Sequence, residues 1–126
     1  MKKTSTYGLT HLAIGVHDLD RTLTFYTSVF DMKVLYYEKD FIQLTTPGAH
    51  DILVFEKTAR KNPGRTGGIA HFGFRLREAI GLAKLVAKIR KAGGTIKRQG
   101  EFVPGSPYVF FLDLDGYEVE VWYEAV

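Results

Sequence analysis

Thr10-His11-Leu12-Ala13-Ile14 returns in the second half of the chain as Ala70-His71-Phe72-Gly73-Phe74. In both stretches large apolar residues alternate with one histidine and small residues. That period of two marks a strand with one greasy face. Each stretch also opens the same run of elements. The first strand spans Thr10–Val16. Asp18 or Asp20 can cap a helix whose apolar positions are Leu19, Leu23, Tyr26 and Phe30. Three strand-like runs follow, Met32–Glu38, Asp40–Thr46 and Asp51–Lys57, with Pro47-Gly48 as the turn before the third. In the second half a strand over Ile69–Leu76 leads to a helix carrying Leu82, Leu85, Val86 and Ile89, closed by Gly93-Gly94. Thr95–Phe102, Pro107–Asp113 and Tyr117–Tyr123 complete it, with Asp115-Gly116 as the last turn.

The order strand, helix, three strands therefore occurs twice, which reads as duplication of one supersecondary unit. The fold class is α+β, built from paired βαβββ modules. One domain over 1–126 is expected, with module one at 8–57, a linker at 58–68 and module two at 69–124. The linker is polar and carries Asn62-Pro63-Gly64 and Gly67-Gly68.

Composition agrees with a single folded domain of 126 residues, 45% hydrophobic and 25% charged. It excludes a disordered or collagen-like chain. With no cysteine, disulfides, thiol nucleophiles and thiolate metal sites are excluded as well. No apolar run approaches the roughly 20 residues of a membrane span. Met1-Lys2-Lys3-Thr4-Ser5-Thr6 has no apolar stretch behind it and does not read as a signal peptide, so a cytoplasmic protein is expected. Net charge is only +3, and the densest basic cluster is Lys84, Lys88, Arg90, Lys91, Lys97 and Arg98. That cluster reads either as a patch for phosphates or as the solvated face and last turn of a helix. No aromatic residues interleave with it, which favours the helix face. Neither nucleic acid nor membrane is expected as a partner.

The candidate site rests on three side chains. His11 and His71 occupy equivalent places on the two first strands, on the face that lacks large apolar groups. In Glu118-Val119-Glu120-Val121-Trp122 the valines take the greasy face, leaving Glu118, Glu120 and Trp122 on the other. A carboxylate in mid-strand is costly unless paired or metal-bound. Two imidazoles and one carboxylate from separate strands suit a divalent first-row metal with open positions. Imidazole fits iron, nickel, zinc or copper, and the carboxylate keeps manganese in the set. Either histidine alone reads more simply as an ordinary core or surface residue. Their equivalence in a duplicated unit is what singles them out.

Glu56 is a fourth candidate, as ligand or as catalytic base beside the metal. It follows His11 by 45 residues, as Glu120 follows His71 by 49, and is expected to be the counterpart of Glu120. Val54 is the competing match if the register differs by two. A strand-end carboxylate facing solvent is the plainer alternative. His50, just past the Pro47-Gly48 turn, is either a loop residue or an acid/base at the cavity mouth. His17 and Asp18 belong to the helix entry. Gly64–Gly68 leads into a strand, not a helix, and lacks phosphate-loop spacing. Tyr36, Phe41, Tyr108, Phe110 and Trp122 either line a substrate pocket or fill the core.

Four segments carry a resemblance: Gly8-Leu9-Thr10-His11-Leu12-Ala13-Ile14, Asp20-Arg21-Thr22-Leu23-Thr24-Phe25-Tyr26, Gly68-Ile69-Ala70-His71-Phe72-Gly73-Phe74, and Phe111-Leu112-Asp113-Leu114-Asp115-Gly116-Tyr117-Glu118-Val119-Glu120. Over nearly the whole chain the sequence resembles the vicinal oxygen chelate superfamily. That group includes glyoxalase I, extradiol dioxygenases, and fosfomycin- and bleomycin-resistance proteins. The resemblance implies an open, cupped mixed sheet around a central cleft holding one metal, iron, manganese, zinc or nickel, with His11, His71 and Glu120 at the ligand positions. Leu114 stands where the family's Asp-Pro-Asp-Gly turn has proline.

A glyoxalase pattern would need Glu56 as well, and an extradiol pattern would need an acid/base such as His50. The fosfomycin pattern fits poorly, with Ala13 in place of a threonine and Phe110 in place of a tyrosine. The implied function is a metal-dependent enzyme chelating vicinal oxygens of a small-molecule substrate, of glyoxalase (lyase) or dioxygenase type. The alternative is a non-catalytic protein of the same fold that sequesters a small molecule or antibiotic. A homodimer is expected, because an open sheet has edges to cover and members of the family usually dimerise.

Overall fold

The computed structural model describes residues 3–125, so Met1, Lys2 and Val126 of the terminal readings lie outside the described residues. Eight strands and two helices follow the doubled order: β1 (His11–Val16), α1 (Leu19–Phe30), β2 (Lys33–Tyr37), β3 (Phe41–Thr45), β4 (Ile52–Lys57), β5 (Phe72–Arg75), α2 (Leu82–Lys91), β6 (Thr95–Glu101), β7 (Pro107–Leu112) and β8 (Glu118–Trp122). They form two four-stranded mixed sheets of identical topology, β1-β4-β3-β2 and β5-β8-β7-β6. In each, the first strand runs parallel to the last and the remaining pairs are antiparallel. The parallel pair is what requires a helical crossover.

Helix α1 begins where Asp18 accepts a hydrogen bond from the Arg21 N–H, and it ends on Asp31 in the left-handed region. Its buried side is Leu19, Thr22, Phe25, Tyr26 and Val29, while Leu23 and Phe30 flank it. The stripe is thus rotated from the Leu19-Leu23-Tyr26-Phe30 line, because α1 packs against both sheets at once. Phe30 stacks on Phe74 of β5 at 4.0 Å, and Tyr26 packs on Phe55 of β4 at 4.9 Å. Helix α2 buries Leu85, Val86 and Ile89 as its periodicity predicts. It closes where Gly93 adopts a positive φ and the Gly94 N–H reaches the Ile89 carbonyl. A single core joins Ile14, Val16, Ile42, Leu44 and Phe55 of the first sheet to Val109, Phe111, Val119 and Val121 of the second.

The Asp113-Leu114-Asp115-Gly116 turn does more than reverse the chain. Asp113, buried, accepts the N–H groups of Asp115 and Tyr117 and, on its second oxygen, the Tyr26 hydroxyl at 2.7 Å. Asp115 accepts the His17 N–H at 3.0 Å and the Arg21 guanidinium at 3.2 Å. The Tyr117 hydroxyl donates to the Gly15 carbonyl at 2.8 Å. The turn therefore clamps the start of β8 to the β1–α1 junction of the other module. Burial raises the Asp113 carboxyl above its ordinary range, an effect the Tyr26 hydroxyl and the two backbone donors oppose.

The linker is held against the same turn. A Cβ on Gly64 would lie 2.5 Å from the Gly116 carbonyl oxygen and 2.6 Å from the Tyr117 nitrogen, so only glycine fits. No helix among the described residues is long and apolar enough to cross a membrane.

Candidate functional site

The parallel β5–β8 ladder pairs Phe72 with Val119 and Gly73 with Glu120. Val119 and Val121 go into the core, so Glu118, Glu120 and Trp122 project from the opposite face, as the alternation predicts. His71, one residue before β5, meets them there. Its Nε2 is 3.8 Å from Glu120 Oε1, and its Nδ1 is 4.0 Å from Glu118 Oε2. Gly73 lies opposite Glu120, and a Cβ built on it would be 3.4 Å from Glu120 Oε1. The missing side chain is the space into which that carboxylate leans. Phe110, paired with Glu120 across β7–β8, sets its ring edge against the imidazole at 5.1 Å.

Glu118 is itself held. Lys97 donates to Oε1 at 2.6 Å, and the Arg98 guanidinium stands 3.8 Å from Oε2 and 4.0 Å from the centre of the Phe110 ring. Consecutive strand residues normally face opposite sides. Here the β6–β7 register shifts between Ile96 and Arg98, a bulge that turns both cations toward one carboxylate. The Lys97 hydrogen bond in particular holds the Glu118 carboxyl below its ordinary range. Assigning Lys97 and Arg98 to the solvated helix face is therefore corrected. Lys88, Arg90 and Lys91 do occupy the last turn of α2, whereas Lys97 and Arg98 belong to β6. Outward from Phe110, Tyr108 packs edge-on at 5.5 Å, and Phe102 stacks on Tyr108 at 4.2 Å. Trp122 closes this aromatic wall at 6.4 Å from Phe102.

His11 begins β1, exposed, with its Nδ1 3.0 Å from Thr10 Oγ1. It lines a groove between β1 and β5 together with Leu12, Asp51 and Phe72. Within one chain the three expected ligands are thus divided, His71 with Glu120 on one sheet and His11 on the other. Among the described residues, no group of three or more His, Cys, Asp or Glu side chains converges within one chain to hold a metal ion. The β1–β4 ladder pairs Ala13 with Val54 and Gly15 with Glu56. Since Ala13 is the equivalent of Gly73, Val54 is the counterpart of Glu120, and Glu56 is the counterpart of Trp122. The expected equivalence of Glu56 and Glu120 is corrected by two residues of register. His50 is exposed in the loop before β4. Its neighbour Asp51 ties that loop by accepting from the Thr46 N–H at 2.8 Å and from the hydroxyls of Thr45 and Thr46. His17 stays at the helix entry, donating Nε2–H to the Arg60 carbonyl at 2.7 Å.

The model of the Glyoxalase/Bleomycin resistance protein/Dioxygenase superfamily matches residues 8–121. A lactoylglutathione lyase of Arabidopsis thaliana is 30% identical over 122 residues, covering 88% of this chain. The chain spans only 42% of that relative's length. A chloroplastic probable lactoylglutathione lyase of the same plant is 29% identical, with 34% of its length covered. Among solved structures, a fosfomycin resistance protein of Listeria monocytogenes superposes with a TM-score of 0.80 at 18% identity, covering 97% of each chain. A domain from a Frankia species gives 0.79 at 23% identity, over 96% of this chain and 100% of its own. A lactoylglutathione lyase from Agrobacterium tumefaciens gives 0.72 at 17%, over 95% and 96%. At those identities the superpositions speak for the fold, while the match over residues 8–121 decides the family: this chain belongs to the Glyoxalase/Bleomycin resistance protein/Dioxygenase superfamily.

Proposed function

We propose that this chain is a metal-dependent enzyme that binds vicinal oxygens of a small-molecule substrate, of the glyoxalase or extradiol dioxygenase type, and that it works as a homodimer. The single observation that carries the reading is the approach of His71 Nε2 to Glu120 Oε1 at 3.8 Å on a face it shares with Glu118 and an aromatic wall. Two donors bound to one first-row metal at about 2.0–2.2 Å each lie roughly 3–4 Å apart, so the pair fits half of a ligand set. His11 supplies a third donor of matching chemistry from the other sheet. Because one chain keeps His11 apart from the pair, the reading places His11 of one protomer beside His71 and Glu120 of another, in a cleft lined by both sheets. The strand edges that each module exposes favour such an assembly.

A bound divalent metal would act as a Lewis acid and stabilise negative charge developing on substrate oxygen. The protein's own part is to present that charge with a shaped, partly apolar wall. Phe110 and Tyr108 limit solvent beside the imidazole, and Trp122 and Phe102 offer flat surface for the rest of the substrate. Glu56, exposed at the end of β4, is the candidate base, able to take a proton from substrate carbon and return it. The register leaves Val54 where a second ligating glutamate would stand, which favours a ligand set of two histidines and one carboxylate.

Metal content after purification without a tag tests the reading. Wild-type protein should carry close to one divalent ion per chain and Glu120→Gln far less. Equal and negligible metal in both would overturn it. Glu56→Gln should retain the metal and lose turnover. The aromatic wall also suits a binding protein without chemistry. Ligand affinity that is unchanged by chelation would favour that second reading.

A further inference from the structure

We infer that Glu118 is a positioning residue, which orients the His71 imidazole by accepting its Nδ1–H and so leaves Nε2 to face Glu120. The inference rests on the metal-enzyme reading and names a residue outside its ligand set.

Three independent features point the same way. First, the ring is flanked on both nitrogens by carboxylates, Nδ1 by Glu118 at 4.0 Å and Nε2 by Glu120 at 3.8 Å, separations longer than a hydrogen bond that a small rotation of the ring toward Glu118 would close on the Nδ1 side. A histidine that binds a metal through one nitrogen commonly gives the proton on the other to a carboxylate. Second, the two carboxylates are not equivalent. Glu118 is anchored by Lys97 at 2.6 Å and by Arg98 at 3.8 Å, and both cations reach it only because of the β6 bulge. Its oxygens are committed to protein groups, and the guanidinium is in turn seated on the Phe110 ring. Among the described residues Glu120 pairs with His71 alone, at 3.8 Å, and it leans over the bare Gly73, which leaves its carboxylate available to ligate. Third, the ring has little other support. The side chain is 37% exposed, and the edge of Phe110 is its aromatic neighbour. Without a fixed acceptor at Nδ1 the imidazole could rotate about χ2 or take the other tautomer, and Nε2 would no longer be presented.

The role requires an acceptor, not a charge, and that separates it from ligation. Zinc affinity of the 126-residue chain is the first readout, and nitrogen-15 NMR of the His71 ring in the zinc-loaded protein is the second. The expected spectrum of wild type is Nδ1 protonated and Nε2 metal-bound. Glu118→Ala should weaken zinc roughly 10- to 100-fold, the usual cost of losing such a partner, and expose the ring proton to faster solvent exchange. Glu118→Gln, whose single carbonyl can accept Nδ1–H only by giving up Lys97, should lose less affinity than Glu118→Ala. Glu120→Gln should lose more affinity than either.

Lys97→Met, which frees Glu118 without removing it, should fall between wild type and Glu118→Ala. Unchanged zinc affinity in Glu118→Ala overturns the inference and leaves the metal reading intact. A Glu118→Gln loss as deep as that of Glu120→Gln makes Glu118 a ligand and also overturns it. Wild-type protein that binds no zinc, iron, nickel or manganese overturns both.

Discussion

Tyr26→Phe removes one oxygen and nothing else from the joint between the modules. The phenylalanine keeps its packing against Phe25, Phe30 and Phe55. What is lost is the 2.7 Å bond to Asp113, a carboxylate with only 7% of its surface exposed. Stripping one donor from a buried charged acceptor costs about 2 kcal/mol, since the oxygen has no water to turn to. The entropy of unfolding is about 2.1 cal/mol/K per residue, so for 126 residues that penalty lowers Tm by about 8 °C.

The effect should depend on pH in a definite sense. Burial already holds the Asp113 carboxyl above its ordinary range, and the Tyr26 hydroxyl opposes that shift. A carboxyl raised in the folded state favours folding below its unfolded pKa, and the benefit fades as pH rises through the folded value. Removing the hydroxyl lifts the folded value further. The penalty is therefore greatest where Asp113 must be ionised and shrinks as acid protonates it. Urea unfolding of both proteins over about pH 8 to about pH 4 measures the difference directly. In an Asp113→Asn background the same substitution should cost less than half as much, because no charge is stranded. A loss under about 2 °C at neutral pH, or one that is the same across the series, would refute the clamp as drawn.

Other substitutions probe other joints. Gly64→Ala forces a Cβ against the Gly116 carbonyl and the Tyr117 nitrogen, and should cost about 1–3 kcal/mol by urea unfolding. Gly73→Ala places a methyl 3.4 Å from Glu120 Oε1. It should weaken metal binding while shifting Tm by no more than a few degrees. Asp31→Gly, at a φ of 54°, should raise stability by about 0.5–1 kcal/mol once the backbone penalty is relieved. The distant ion pair of Asp31 with Lys88, 3.5 Å long and exposed, is too weak to offset that gain.

The doubled architecture is legible in the sequence because it rests on local rules. Alternation sets the strand faces, Asp18 caps α1, and Gly93-Gly94 stops α2. The same alternation places Glu118 and Glu120 on one face with Trp122. Reading stops where contacts are long-range or where a strand breaks its own rule. Asp113 and Asp115 look like turn residues, yet their partners Tyr26, His17 and Arg21 lie in the other module. No local pattern announces such a pairing. The β6 bulge cannot be inferred from Thr95-Ile96-Lys97-Arg98, so strict alternation separates two cations that in fact share Glu118. The Glu56 register failed for a related reason. The second module is longer mainly in the connection from His71 to α2 and in β6 and its hairpin to β7, so counting from each histidine does not align the strands, whereas the ladders do. Nor does alternation anticipate β2, whose residues are exposed throughout, although β1, the other outer strand of its sheet, buries Ile14 and Val16.

Whether two chains build each proposed metal site is decided by mixing two defective proteins. His11→Ala and Glu120→Ala each spoil every site in their own homodimers, and each should bind almost no zinc. Unfolded and refolded together in equal amounts, they should regain about a quarter of the wild-type zinc, because half the dimers are mixed and each holds one intact site. Zinc that stays at the level of the separate mutants after mixing, with mixed dimers confirmed by mass, would contradict the shared site.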